Sequence, residues 1–147
     1  MKDAPIGKSK TQQSYEPAPY VGTAILHRGL VLLAKRIEVC PRTKLKVSYG
    51  GYWSIFCGAV EPNEAYHVAA HREVLEETGL NLDKKKFKHI GLVDKLRLYV
   101  YELDEIVCPT LDYEHTESGW YKIEHLLITP NPTDERIAQK LQDYRTV

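Results

Sequence analysis

The stretch that decides the reading of this chain is Gly58-Ala59-Val60-Glu61-Pro62-Asn63-Glu64-Ala65-Tyr66-His67-Val68-Ala69-Ala70-His71-Arg72-Glu73-Val74-Leu75-Glu76-Glu77-Thr78-Gly79-Leu80. Pro62-Asn63 marks a turn, and asparagine is a residue type that caps helices. No glycine or proline interrupts 64–78, and Gly79 follows where a left-handed cap ends a helix. The segment therefore predicts a helix over 64–78. At about 100° per residue, Glu76 and Glu77 fall about 60° to one side of Glu73 and about 40° to the other. The three carboxylates share one arc, and Ala69 leaves room in it one turn earlier. Val68 and Leu75 are expected on the far side, toward a core. Like charges three and four residues apart cost about a few tenths of a kcal/mol per pair. A hard divalent cation with oxygen ligands offsets that repulsion, and Mg²⁺ is the natural candidate. Arg72, four residues before Glu76, supplies another counter-charge, so an acidic helix face bridged by arginine and open to solvent is the plain structural alternative.

The spacing around the helix is more specific than the carboxylates alone. Gly58 is followed after five residues by Glu64, and after seven more by Arg72-Glu73-Val74-Leu75-Glu76-Glu77-Thr78-Gly79-Leu80. This is G-x5-E-x7-R-E-U-x-E-E-x-G-U, with U a bulky aliphatic, matched at every fixed position. Average residue usage makes a chance match in a chain this long rarer than about one in a million. The segment resembles the Nudix box, the signature of the Nudix hydrolases. The resemblance covers about residues 20–128. Leu32-Leu33-Ala34-Lys35-Arg36 is similar to the family's pre-box strand with its basic pair. Trp53-Ser54-Ile55 looks like the strand entering the box. Glu114-His115-Thr116-Glu117, followed by Trp120, resembles a downstream loop with a further glutamate. The chain departs from the family at Phe56-Cys57, where Pro-Gly is usual, and these side chains add bulk where substrate phosphates approach.

The resemblance implies an α/β/α sandwich with a mixed β-sheet. It implies hydrolysis of a nucleoside diphosphate linked to another group X, by water attack on phosphorus. On that reading Glu73, Glu76 and Glu77 hold Mg²⁺, with Mn²⁺ as an alternative, and the backbone carbonyl of Cys57 is a further ligand. Arg72 belongs to the catalytic set. The general base is Glu114, Glu117 or a box glutamate, with Glu114 preferred; His115 is a weaker candidate, expected at the surface. Glu64 orients a water at the metal, links to Arg72, or serves the helix dipole as a first-turn acid. Lys35, Arg36 and Tyr52 are expected to bind substrate, with Tyr49 and Tyr99 near the same cleft, and core or rim packing is the default for the three tyrosines. The expected partner is a small nucleotide. The alternatives are an RNA 5′ end, processed by a pyrophosphohydrolase or decapping-type activity, and a sensor that binds nucleotide without cleaving it. A homodimer is compatible with this reading.

Outward from the box, 20–27 and 30–35 read as hairpin strands about Arg28-Gly29. Residues 36–51 form a long basic loop of functional length. Strands are expected at 52–61, 87–94, 95–103 and 118–123, with alternation at Leu96, Leu98, Val100 and Glu102. A closing helix over 131–145 can be capped by Thr133 or Asp134 and carries the stripe Ile137, Leu141, Tyr144. Strands before and after a central helix favour a mixed sheet. Residues 1–19, with Pro5, Pro17 and Pro19, are expected as a flexible N-terminal tail before one domain over 20–147. The 147 residues suit one domain, and 43% hydrophobic residues can fill its core. Twenty basic and twenty acidic residues cancel, which argues against a bulk polybasic nucleic-acid or membrane binder. No apolar run approaches the ~18 residues of a membrane span. Cys40, Cys57 and Cys108 are odd in number and far apart, which disfavours a disulfide scaffold or zinc site and points to a reducing cytoplasm.

Overall fold

A computed structural model of the chain describes residues 19–47, 50–128 and 132–145. Of the tail expected over 1–19, all but Pro19 lies outside them, as do Tyr49 and the side chains of Thr133 and Asp134. The described strands are β1 (Tyr20–His27), β2 (Leu30–Arg36), β3 (Trp53–Ser54), β4 (Phe56–Ala59), β5 (Lys88–Val93), β6 (Leu96–Glu102) and β7 (His115–Lys122). Two helices, α1 (Tyr66–Thr78) and α2 (Pro132–Arg145), accompany them, with short 3₁₀ turns at Lys84–Lys86 and Ile123–Ile128.

β1 organises the sheet. One of its edges pairs in parallel with β6 from Tyr20↔Leu96 to Leu26↔Glu102. Its other edge is divided. Tyr20 to Thr23 pairs antiparallel with β4, while Leu26 and His27 pair with β2. The β1–β2 turn places Arg28 and Gly29 at φ 47° and 85°, the mirror-image turn that suits a right-twisted hairpin. β2 carries β3 and β7 antiparallel, and β6 carries β5. The sheet is therefore mixed, as the order of elements implies.

Side chains alternate across this sheet into two cores. Val21, Ile25, Leu32, Ala34, Phe56, Tyr99 and Tyr101 join Ala69, Ala70 and Val74 of α1. Ala24, Leu26, Val31, Leu33, Leu98 and Val100 join Ile137, Ala138 and Leu141 of α2. The α/β/α sandwich is complete in these contacts. β6 buries four consecutive residues, Leu98 to Tyr101, because both of its faces are covered. Leu98 and Val100 do form one alternating face, but Tyr99 fills the other. It is buried beside Phe87, with ring centroids 6.4 Å apart, so it belongs to the core and not to a cleft rim.

α1 departs from expectation in two ways. It begins at Tyr66, after an extended Ala65 whose side chain makes no capping bond. Asn63 sits at φ 63°, so it shapes the preceding turn and does not cap the helix. The C-terminal end is as expected: Gly79 adopts φ 74° and donates its N–H to the carbonyl of Leu75. The second departure is rotational. Leu75 is 40% exposed and Val68 is only half-buried, while Ala69, Ala70, Val74, Glu77 and Thr78 are buried. Glu77, with Glu73 half-buried beside it, thus turns toward the sheet while Glu76 stays exposed, and small alanines let the helix approach it. Two apolar residues on the far side were too few to win that face against Val74, the alanines and the paired charges.

Candidate active site on helix α1

Gly58 of β4 lies against Glu73. A Cβ built on Gly58 would stand 2.0 Å from the Glu73 Cδ, so only a hydrogen leaves room for the carboxylate. Arg72 ties the surrounding acids together. Its Nε and Nη2 donate to the two oxygens of Glu64 at 2.7 and 3.0 Å, a bidentate pair. Its Nη1 donates to Glu73 at 2.8 Å and more weakly to Glu76 at 3.3 Å. Its Nη2 also reaches the carbonyl of Ala59 at 3.0 Å. Glu64 in turn accepts the backbone N–H of Glu61 at 3.0 Å. Of the three readings of Glu64, the geometry takes the link to Arg72. That bond above all holds the Glu64 carboxyl below the usual carboxylate range, against the opposing effect of burial. The guanidinium is held more firmly protonated in return, by Glu64 first and then Glu73.

Glu77 is the opposite case. It is 3% exposed, and its Oε1 has no hydrogen-bond partner. Burial, then its bond to Glu73, then repulsion from Glu73, Asp112 and Glu114 push its carboxyl up to about 10. A buried carboxyl oxygen without a partner is expensive unless something satisfies it. The neighbours are all oxygen donors, so the position fits a hard divalent cation. Among the described residues, no three His, Cys, Asp or Glu side chains are gathered into a ready-made cage. The reason is visible in the pairing: Glu73 is held by Arg72, and the Glu76 side chain is 56% exposed at the rim.

The loop between β6 and β7 docks on the open end of α1. Thr110 donates its N–H to the carbonyl of Thr78 at 2.9 Å, and Asp112 donates to that of Glu77 at 3.3 Å. These carbonyls have no partner within the helix, so the loop completes it. Asp112 Oδ1 then accepts the N–H of Glu114 at 3.2 Å, an Asx-type turn, and pairs with His115 Nδ1 at 2.8 Å. This brings Glu114 close enough to repel Glu77. His115 is buried, contrary to the surface position expected, because its ring packs edge-on against Phe56 at 5.8 Å and bonds Asp112. Asp112 itself escaped the sequence reading. Its signal was local: an aspartate two residues before Glu114, where a side-chain turn can form.

Glu117 stands on β7 opposite Lys35, with a 3.8 Å ion pair between them and its own side chain 61% exposed. Arg36 pairs in register with His115, and its N–H donates to the carbonyl of Tyr52 at 2.9 Å. Lys35, Arg36 and Tyr52 are thus brought together at one end of β2, beside Glu114. Cys57 sits between Phe56 and Gly58 on β4, in register with Gly22. Its side chain packs against the core under α2, and its thiol lies 3.0 Å from a Cβ built on Gly22. The thiol is therefore spent on packing.

A sheet sandwich with a charged helix pressed on β4 defines the class, and the family comparison agrees with it. The NUDIX domain model matches residues 17–142, and the chain belongs to that family. It is 32% identical over 106 residues to mRNA-decapping enzyme subunit 2 of Arabidopsis thaliana, which is 67% of this chain and 28% of that protein. It is 27% identical over 103 residues to the oxidized purine nucleoside triphosphate hydrolase of Danio rerio, covering 66% of each. The chain therefore spans less than a third of the first relative and about two thirds of the second. Among solved structures, the MutT protein of Methanosarcina mazei Go1 aligns with a TM-score of 0.61 at 25% identity, over 91% of this chain and 99% of that one. No helix among the described residues is long and apolar enough to cross a membrane.

Proposed function

We propose that this chain is a Mg²⁺-dependent hydrolase that cleaves the diphosphate linkage of a nucleoside diphosphate joined to another group X. Mn²⁺ is an alternative ion. The observation that carries the reading is the partnerless buried Oε1 of Glu77 beside Glu73, in a box matched at every fixed position. When bound, the cation supplies charge shielding for the diphosphate and lowers the pKa of water. Glu73, Glu76, Glu77 and the main-chain carbonyl of Cys57 are the groups that would hold it. Arg72 fixes the Glu73 carboxylate in direction through its 2.8 Å bond. Lys35 and Arg36 neutralise substrate phosphates, with Tyr52 beside them. Water oxygen bonds to phosphorus, the bond to the leaving phosphate oxygen breaks, and the proton passes to Glu114. Glu114 is favoured over Glu117 because its turn docks on the end of α1 at the Glu77 carbonyl, whereas Glu117 is paired with Lys35.

Phosphate release across a panel of nucleotides with Mg²⁺ tests the activity. Absence of release on every substrate, with nucleotide still bound, would make the chain a sensor. An RNA 5′ end is the second reading, favoured by the likeness to a decapping subunit, and RNA substrates belong in the same panel. Glu114→Gln should lower kcat with little change in metal affinity, and Glu117→Gln should be mild. The reverse ranking moves the base to Glu117, and full activity in both returns it to the box helix. The three free cysteines support a reducing, cytoplasmic setting, and one working domain over 20–147 accounts for the described sheet.

A further inference from the structure

The basic loop after β2 is an arm. Val39 and Lys46 form an antiparallel bridge, Val47 donates its N–H to the carbonyl of Glu38, and Cys40 donates to that of Leu45. Arg42 sits in the turn at the tip. The root of the arm is tied to the turn before β7: Ile37 donates its N–H to the carbonyl of Glu114 at 2.8 Å. The tip returns to the same turn, where the guanidinium carbon of Arg42 lies 5.7 Å from the ring centroid of Tyr113. Tyr113 immediately precedes Glu114, is 54% exposed, and belongs to neither core. An aromatic ring kept for packing would be buried. This ring instead stands in water, one residue after Asp112, whose N–H caps the Glu77 carbonyl, and under a planar cation on an arm.

A planar heteroaromatic group in contact with both faces needs about 7 Å between ring and guanidinium, two van der Waals separations of about 3.5 Å. The guanidinium carbon now stands 5.7 Å from the ring centroid, so the arm must lift to admit one ring system. Tyrosine and arginine planes are the usual stacking partners of unpaired bases. We propose that Tyr113 and Arg42 form a stacking slot for the base of a nucleotide, closed by the arm over the Glu114 turn. The slot rests on the nucleotide reading of the neighbouring site. It reads area, not hydrogen bonds, so it takes purines ahead of pyrimidines.

The test is a fluorescence titration that needs no turnover. Tyr113→Trp protein in chelator is titrated with GMP, and with ribose 5-phosphate as the base-free control; the wild type reports the background of Trp53 and Trp120. The expected result is saturable quenching by GMP beyond the wild-type background and none by ribose 5-phosphate. Adding Arg42→Ala to the reporter should weaken GMP binding about tenfold. In turnover, Tyr113→Ala should raise KM about fivefold or more without a matching loss of kcat, and Tyr113→Phe should restore it. Tyr113 is exposed, so these variants should fold. Quenching no greater than in the wild type, or equal quenching by ribose 5-phosphate, overturns the slot. Quenching by GMP in a protein that hydrolyses nothing supports the slot and removes the hydrolase reading; hydrolysis without quenching does the reverse.

Discussion

The two helices press on opposite faces of one sheet and use their buried faces differently. α2 buries Ile137, Ala138 and Leu141 against Leu98, Val100 and their neighbours, a hydrocarbon contact. α1 buries Ala69, Ala70 and Val74, and with them Glu77 and Thr78. The first helix therefore carries less apolar area and a carboxyl that burial and repulsion oppose. What holds it is polar: the Arg72 pairs with Glu64 and Glu73, the Gly79 cap, and the loop that donates to the carbonyls of Glu77 and Thr78. The same sandwich thus keeps one face apolar and lets the other bury a carboxyl oxygen without a partner.

The comparison breaks most sharply at Glu77. Glu77→Gln should reduce turnover by about a thousandfold or more, yet raise stability in chelator. A carboxyl raised from 4.5 unfolded to about 10 folded has its full stabilising contribution below the unfolded value and loses it as pH rises through the folded one. Metal-free wild type should therefore lose stability as pH climbs above about 5 while the glutamine variant loses less. Thermal melts in chelator at pH 5 and 8 check this; a variant less stable than wild type at pH 8 would defeat the account.

On the other face, Leu141→Ala should cost about 2–5 kcal/mol of folding free energy and leave kcat per folded molecule intact. Urea unfolding beside active-site-normalised rates separates the two effects, and a kcat loss matching the stability loss would mean the faces are not independent. Glu64→Gln should cost about 2 kcal/mol at neutral pH, since it strips a charged bond from Arg72. Because Glu64 is held below its unfolded value, this stability is present above that value and is lost as pH falls through the folded one, so wild type and variant should converge in acid. A gap that stays constant down to low pH would assign the effect to packing. The smallest effect belongs to Cys57→Ser, which should keep turnover near wild type and shift Tm by a few degrees at most, because the thiol is packing. Loss of activity as deep as in a Glu77 variant would make the thiol part of the chemistry.

Much of this was legible in the chain itself. Gly58, Glu64, Arg72, the three glutamates and Gly79 stand at spacings that local geometry converts directly into a helix, its cap and a shared carboxylate arc. The shared face of Leu98 and Val100 on β6 and the Arg28-Gly29 turn likewise needed only neighbours along the chain. The direction in which α1 faces the sheet did not follow from its pattern. Leu75 lost the buried face and Glu77 gained it, because burial depends on what β1 and β4 present from elsewhere. His115 was drawn inside by Phe56 and Asp112 for the same reason. Sequence by itself determined which groups the protein carries and their local order, since helix period, turn chemistry and strand alternation act over a few residues. Tertiary structure alone decided which carboxyl is stripped of water and what Arg72 and Asp112 touch, since desolvation and hydrogen bonding are set by segments distant in the chain that meet only in the fold.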